Sequence, residues 1–131
     1  MSNGSPFSYA VFRVVPSVER GERINVGVVL FCGPLQYLAA RTGLDEARLA
    51  TLWPGLDAAT IRPHLDAIER VAAGDPDAGP IAQLDQTARF HWLVSPSSTI
   101  IQPSAVHTGL CAEPAEQLDK LFDALVSTPT T

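Results

Sequence analysis

Hydrophobic positions follow two rhythms along this chain, and the switches between them set the expected architecture. Residues 7–15 alternate, with Phe7, Tyr9, Val11, Arg13 and Val15 on one side and Ala10, Phe12 and Val14 on the other. Both sides are largely apolar, which predicts a central strand. Pro16, which has no N–H to donate, closes it. Residues 24–32 form an unbroken apolar run. Val26, Val28 and Leu30 are therefore expected on one face and Gly27, Val29 and Phe31 on the other, with both faces covered. Gly27 inside this strand signals a bulge or a close approach of backbone. After the Gly33-Pro34 turn, residues 35–41 read as a third strand, and the short connections predict an antiparallel meander.

The spacing then lengthens. Residues 45–53 predict a short helix with Leu49, Leu52 and Trp53 on one face, stopped by Pro54-Gly55. Pro63 suits the first turn of a helix reaching Ala73 that buries Leu65, Ile68, Val71 and Ala72. Residues 74–80 read as a loop too short to divide the chain into domains, followed by a helical turn or two over 81–87. Residues 89–94 alternate again, with Phe90, Trp92 and Val94 on one side, and predict a fourth strand. Residues 99–102 predict a short fifth strand. Beyond Pro114, Leu118, Leu121, Phe122, Leu125 and Val126 recur at helical spacing. The expected fold is α+β: a single domain over 1–131, an antiparallel sheet of about five strands with helices packed on one face. Residues 1–6 and 127–131 are expected as flexible tails.

Composition narrows the function classes. Apolar residues make up 46% and charged residues 18%, a globular balance, and no apolar run approaches the length of a membrane helix. Residues 1–6 carry neither the basic nor the apolar region of a secretion signal. The two cysteines, Cys32 and Cys111, lie far apart and read as small buried hydrophobes, so the expectation is a cytoplasmic protein. The net charge of −5 is uneven: residues 1–44 sum to +2 and residues 45–131 to −7. That balance argues against general nucleic-acid binding while leaving room for a local anion site near the first loop.

The candidate chemistry concentrates in Arg20-Gly21-Glu22-Arg23-Ile24-Asn25, a charged turn that runs directly into the second strand. Arginine offers planar, two-pronged recognition of carboxylate or phosphate, Glu22 would orient it or act as a base, and Asn25 both donates and accepts. The plain alternative is a turn in which Asn25 bonds backbone and Glu22 pairs with an arginine. Arg89 and His91, two apart in the expected fourth strand, would share one sheet face, joined by Arg13 or Arg41 if the strands are neighbours, an arrangement suited to anion binding or proton transfer. A solvated outer face is the competing reading. No serine sits in a nucleophile elbow, and His107 with Cys111 is too sparse a pattern for zinc. Glycine-rich phosphate and dinucleotide loops are missing from the sequence, so no metal and no cofactor is expected.

Tyr9, Arg13-Val14-Val15-Pro16, Arg20-Gly21-Glu22 and Asn25-Val26-Gly27-Val28 together resemble the bacterial domain of unknown function family 3037, most strongly over residues 9–31. The resemblance implies a fold and no reaction. Genes resembling the family often lie beside genes for HipA-like kinases, which implies association with such a kinase. Two readings of function follow. One is an accessory, protein-interaction module whose polar loop and adjacent sheet edge meet a HipA-like kinase or another protein. The other is an enzyme or binder of a small phosphorylated or anionic ligand, with Arg20, Glu22, Arg23, Asn25, Arg89 and His91 as site residues.

Overall fold

A computed structural model describes residues 4–16, 22–96 and 100–127. Three long-range strands form first in the chain: β1 (Ser5–Val14), β2 (Ile24–Cys32) and β3 (Tyr37–Thr42). They pair antiparallel as the meander predicts, and the β2–β3 turn closes through Gln36 N donating to Gly33 O at 3.0 Å. Helices α1 (Glu46–Leu52), α2 (Ala58–Ala73) and α3 (Gln86–Leu93) follow, then β4 (Ile101–Pro103), β5 (His107–Cys111) and α4 (Pro114–Leu125). Both β4 and β5 pair with β1, β4 along its C-terminal half and β5 along its N-terminal half. The sheet order is therefore β3-β2-β1 with β4 and β5 sharing the far edge.

The α+β class and the five-stranded antiparallel sheet are as expected, and the helices divide between the two faces. One face presents Ala10, Phe12, Val14, Val26, Val29 and Leu38 to α1, α2 and α3, which contribute Leu49, Ile61, Leu65, Phe90 and Leu93. The other presents Phe7, Val28, Leu30, Cys32 and Cys111 to Leu118 of α4, with Leu121 packed against them. A strand with two apolar rows must bury both, at roughly 1.5–3 kcal/mol for each large side chain, so one helical layer would leave half of β2 in water.

The alternation expected along β2 breaks at Val26. Register runs from Ser8↔Phe31 to Phe12↔Gly27, then jumps to Arg13↔Asn25, so Val26 and Gly27 together oppose Phe12. Val26 therefore joins the Val29 face instead of the Val28 face. Gly27 is the residue that permits this bulge. A Cβ there would stand 3.0 Å from Thr42 Cγ2 and 3.2 Å from Arg41 O. A second irregularity sits on the opposite side of β1. Phe12↔Pro103 and Tyr9↔His107 are paired, so three residues (104–106) oppose two (10 and 11). Ser104 repairs the ladder here: its N–H donates to Val11 O at 2.7 Å, and its hydroxyl accepts from Val11 N at 2.9 Å.

Two expected elements differ. Residues 86–93 are helix, not strand. Asp85 caps the first turn by accepting from Ala88 N at 2.8 Å, and Arg89, Phe90 and Leu93 face inward at helical spacing while Trp92 points to solvent. The apparent alternation of Phe90, Trp92 and Val94 was shorter than one helical repeat could contradict. The short strand expected over 99–102 is β4, and the strand that replaces 89–94 in the sheet is β5, which the glycine in His-Thr-Gly-Leu-Cys disguises. Helix α2 also starts five residues before Pro63, because Asp57 caps Ala59 N at 2.9 Å and Ile61 is fully buried. Pro63 is thereby carried inside the helix.

Candidate partner-binding edge

The predicted site residues do not gather in one cleft. Arg20 lies outside the described residues. Glu22 is half-buried and Arg23 exposed where the chain enters β2. Asn25 points toward α4, and its Nδ2 donates to Leu125 O at 2.9 Å, so it satisfies a terminal carbonyl of that helix. Arg89 and His91 are on α3, across the sheet from Asn25.

Arg89 is almost fully enclosed, at 8% exposure, and has a structural partner. Its Nη1 donates to Val71 O and Ala72 O at 3.3 and 3.2 Å, placing a cation on the last carbonyls of α2, where the helix dipole is negative. Gly74 makes the room. It adopts φ +74° as the left-handed end of α2, and a Cβ there would overlap the Arg89 guanidinium. His91 is exposed on the outer side of α3, and its carbonyl accepts from the Ser95 hydroxyl at 2.6 Å. Arg41 is likewise engaged, 2.9 Å from Asp119 and 4.3 Å above the Phe122 ring. His107 and Cys111 sit at opposite ends of β5. Cys111 packs in the α4-side core, where burial first, and then neighbouring Cys32 and Glu113, push its thiol pKa up and leave it unreactive. Among the described residues, no three metal-binding side chains converge.

What the fold does bring together is a band around the open sheet edge. On the α2–α3 face, Phe12, His64, Ile68, Trp92, Leu93 and Pro103 line an apolar groove of about 360 Å³, with Ala67, Ser95, Pro96 and Ile101 completing it. Pro96 and Pro103 also line a second hollow of about 270 Å³ along residues 102–106 of the edge itself. Ser104 and Ala105 continue from that hollow into a third, of about 370 Å³, on the α4 face, where Val11, Arg13, Arg23, Asn25 and His107 complete the lining. The shared residues make the three one continuous surface that is apolar on one side of the edge and basic on the other.

The two sheet edges are treated differently. β3 carries Arg41 and is packed by α2 on one face and by α4 on the other. Thr42 is additionally bonded to Glu69 of α2. Among the described residues, β4 and β5 pair on one side only. β5 has no acidic side chain, lysine or arginine; Leu110 within it is 65% exposed, and Val106, which precedes the strand, is exposed too. Charged side chains are the usual protection against strand addition, and β5 lacks them. Pro103 removes a donor from β4, whereas β5 contains no proline.

The family described as "Protein of unknown function (DUF3037)" matches residues 9–126. The chain belongs to that family. The match runs from Tyr9 within β1 past the end of α4, so it takes in the rest of β1, the other strands, the helices and the lining of the edge hollows, while Ser5–Ser8 precede it. No curated protein and no solved structure matches the chain. Among the described residues, no helix is long and apolar enough to cross a membrane.

The residues that sequence reasoning missed, Trp92, Ser104, Val106 and Leu110, carried one readable signal. Val106-His-Thr-Gly-Leu110 has strand-forming residues at both ends and no formal charge, the signature of an unprotected edge.

Proposed function

We propose that the chain is a partner-binding module that accepts an extended segment of another protein along β5. The observation that supports this most directly is the open, uncharged β5 edge, with Leu110 exposed near its C-terminal end and the apolar and basic hollows meeting at its N-terminal end, around residues 103–107. Backbone groups of an added strand would supply affinity. The Trp92 groove would take an apolar side chain and the arginine-bearing hollow an anionic one. An enzymatic reading that needs Arg89 and His91 beside the residue 20–25 loop has less support, since Arg89 is engaged by α2.

The HipA-like kinase implied by the family resemblance is the partner to test first. Co-expressed kinase and wild-type protein are expected to co-elute, with the interaction weakened at least tenfold by Leu110→Ser and by Trp92→Ala in folded protein, since hot-spot aromatics at interface centres cost about 2 kcal/mol or more. Undiminished binding by both variants would place the interface elsewhere. If that kinase fails to bind, a photo-crosslinking residue at Val106 in the native host tests the edge without assuming the partner. Loss of the adduct in Leu110→Ser is the expected result.

A further inference from the structure

The hollow on the α4 face has a composition that strand addition does not require. Its floor comes from β1 and β2, where the Val26–Gly27 bulge resets the register so that Arg13 stands opposite Asn25. Its wall comes from Ser104 and Ala105 of the 104–106 irregularity and from His107, which follows it at the start of β5. Two backbone irregularities on either side of β1 thus converge on one spot, a placement typical of functional sheet ends. Arg13 is half-buried and Arg23 exposed, and both line the hollow. Burial, and secondarily the like charge of Arg23, lower the Arg13 pKa below its usual value, so the two cations are close enough to repel.

Uncompensated charge at one shared hollow distinguishes this pair. Arg41 meets Asp119, Arg62 meets Glu46, Arg70 meets Asp75, and Arg89 meets two carbonyls. Among the described residues, Arg13 and Arg23 have no such partner, and no carboxylate lines the hollow. Arg48 and Lys120 also have no acidic partner among the described residues, but neither lines one of these hollows. A half-buried guanidinium that shares a hollow with a second cation is electrostatically unfavourable unless an anion joins them. Around these cations stand the Ser104 hydroxyl, already bonded to Val11 N and Ala105 O, and the His107 ring, which stacks on Tyr9 with centroids 5.2 Å apart. The net charge of this chain is negative, so a positive hollow is a local arrangement and not a consequence of bulk charge.

We infer that this hollow is a binding site for a phosphoryl group, held between the guanidinium forks of Arg13 and Arg23 and beside the His107 imidazole. Two fixed cations match a doubly charged phosphoryl group better than a singly charged carboxylate, and arginine forks suit its array of oxygens. The volume of about 370 Å³ leaves room for a small organic portion beyond the phosphoryl group. Asn25, tied to Leu125 O, serves as a positioning residue that fixes β2 against α4 at this point.

Titration with inorganic phosphate at low ionic strength, followed by amide NMR, tests the assignment. Saturable shifts are expected at Arg13, Arg23, Ser104 and His107. Arg13→Gln and Arg23→Gln are each expected to weaken binding about tenfold or more, the factor for losing one charge-assisted contact. Arg23 is exposed, so Arg23→Gln reads binding even if Arg13→Gln perturbs folding. Acetate at matched ionic strength is expected to bind at least about tenfold more weakly, because it offers half the charge. Shifts centred elsewhere, or an affinity unchanged in Arg23→Gln, would overturn the site. Equal affinity for acetate would overturn its phosphoryl character. Leu110→Ser leaves phosphate binding intact in this account, so failure of the strand-addition reading and failure of the anion site are separable.

Discussion

Gly74 and Arg89 form a coupled pair whose energetics test the account of why Arg89 is buried. Gly74→Ala introduces two costs. A non-glycine residue at φ +74° costs about 1–2 kcal/mol in backbone strain. The new Cβ also occupies the position of the Arg89 guanidinium, which must leave the Val71 and Ala72 carbonyls. Hydrogen bonds from a charged donor contribute about 1.5–3 kcal/mol, and at 3.2 and 3.3 Å this pair lies toward the weaker end, so displacement adds about 2 kcal/mol. Gly74→Ala should therefore destabilise by about 3–4 kcal/mol. Arg89→Met, which keeps the apolar stem and removes the charge, should cost about 2–3 kcal/mol through the loss of both charged bonds and the unpaired Ala72 carbonyl, Val71 O still accepting from Gly74 N at 3.1 Å. The double variant loses the same bonds only once and relieves the overlap, so it should fall about 2 kcal/mol short of the sum. Urea unfolding measures all three. With an m-value of about 1.5 kcal/mol/M, a 3 kcal/mol loss moves the midpoint by about 2 M. Additivity within about 0.5 kcal/mol would refute the coupling, and with it the claim that Gly74 exists to admit Arg89.

Two further outcomes follow from the core and from one ion pair. Leu30 is fully enclosed in the α4-side cluster, so Leu30→Ala should cost about 2–4 kcal/mol by denaturant unfolding, and a loss under 1 kcal/mol would mean that α4 does not seal that face. Asp75 accepts from Arg70 Nε at 2.8 Å and from Asp77 N at 2.9 Å, bonds that hold its carboxyl pKa below the usual range. Because the folded-state pKa is the lower one, the stabilisation is complete above the unfolded value of about 3.9 and disappears as pH falls through the folded value. Wild type should accordingly lose its stability advantage over Asp75→Asn between pH 5 and the acid limit (about pH 2), and an advantage that grew on acidification would contradict the assignment.

Local pattern determined much of this protein. The unbroken apolar run of β2 required cover on both faces, and the 3.6-residue spacing of Leu118, Leu121 and Phe122 required an amphipathic α4, because periodicity states which side chains share a surface. Gly27 signalled either a bulge or a close backbone approach, and both occur there, because a glycine in a strand interior is costly without a geometric reason. Tertiary structure decided what periodicity leaves open. Six residues from Arg89 to Val94 satisfy strand and helix rhythms alike; the Asp85 cap and the room beneath Gly74 selected helix, carrying Arg89 into the interior and away from Asn25. Asn25 and Arg23 came to lie beside Arg13, Ser104 and His107 because β4 and β5 return to pair with β1, a contact across about ninety residues that no local pattern encodes. The open edge is likewise a property of strand order: among the described residues, β5 pairs with β1 alone.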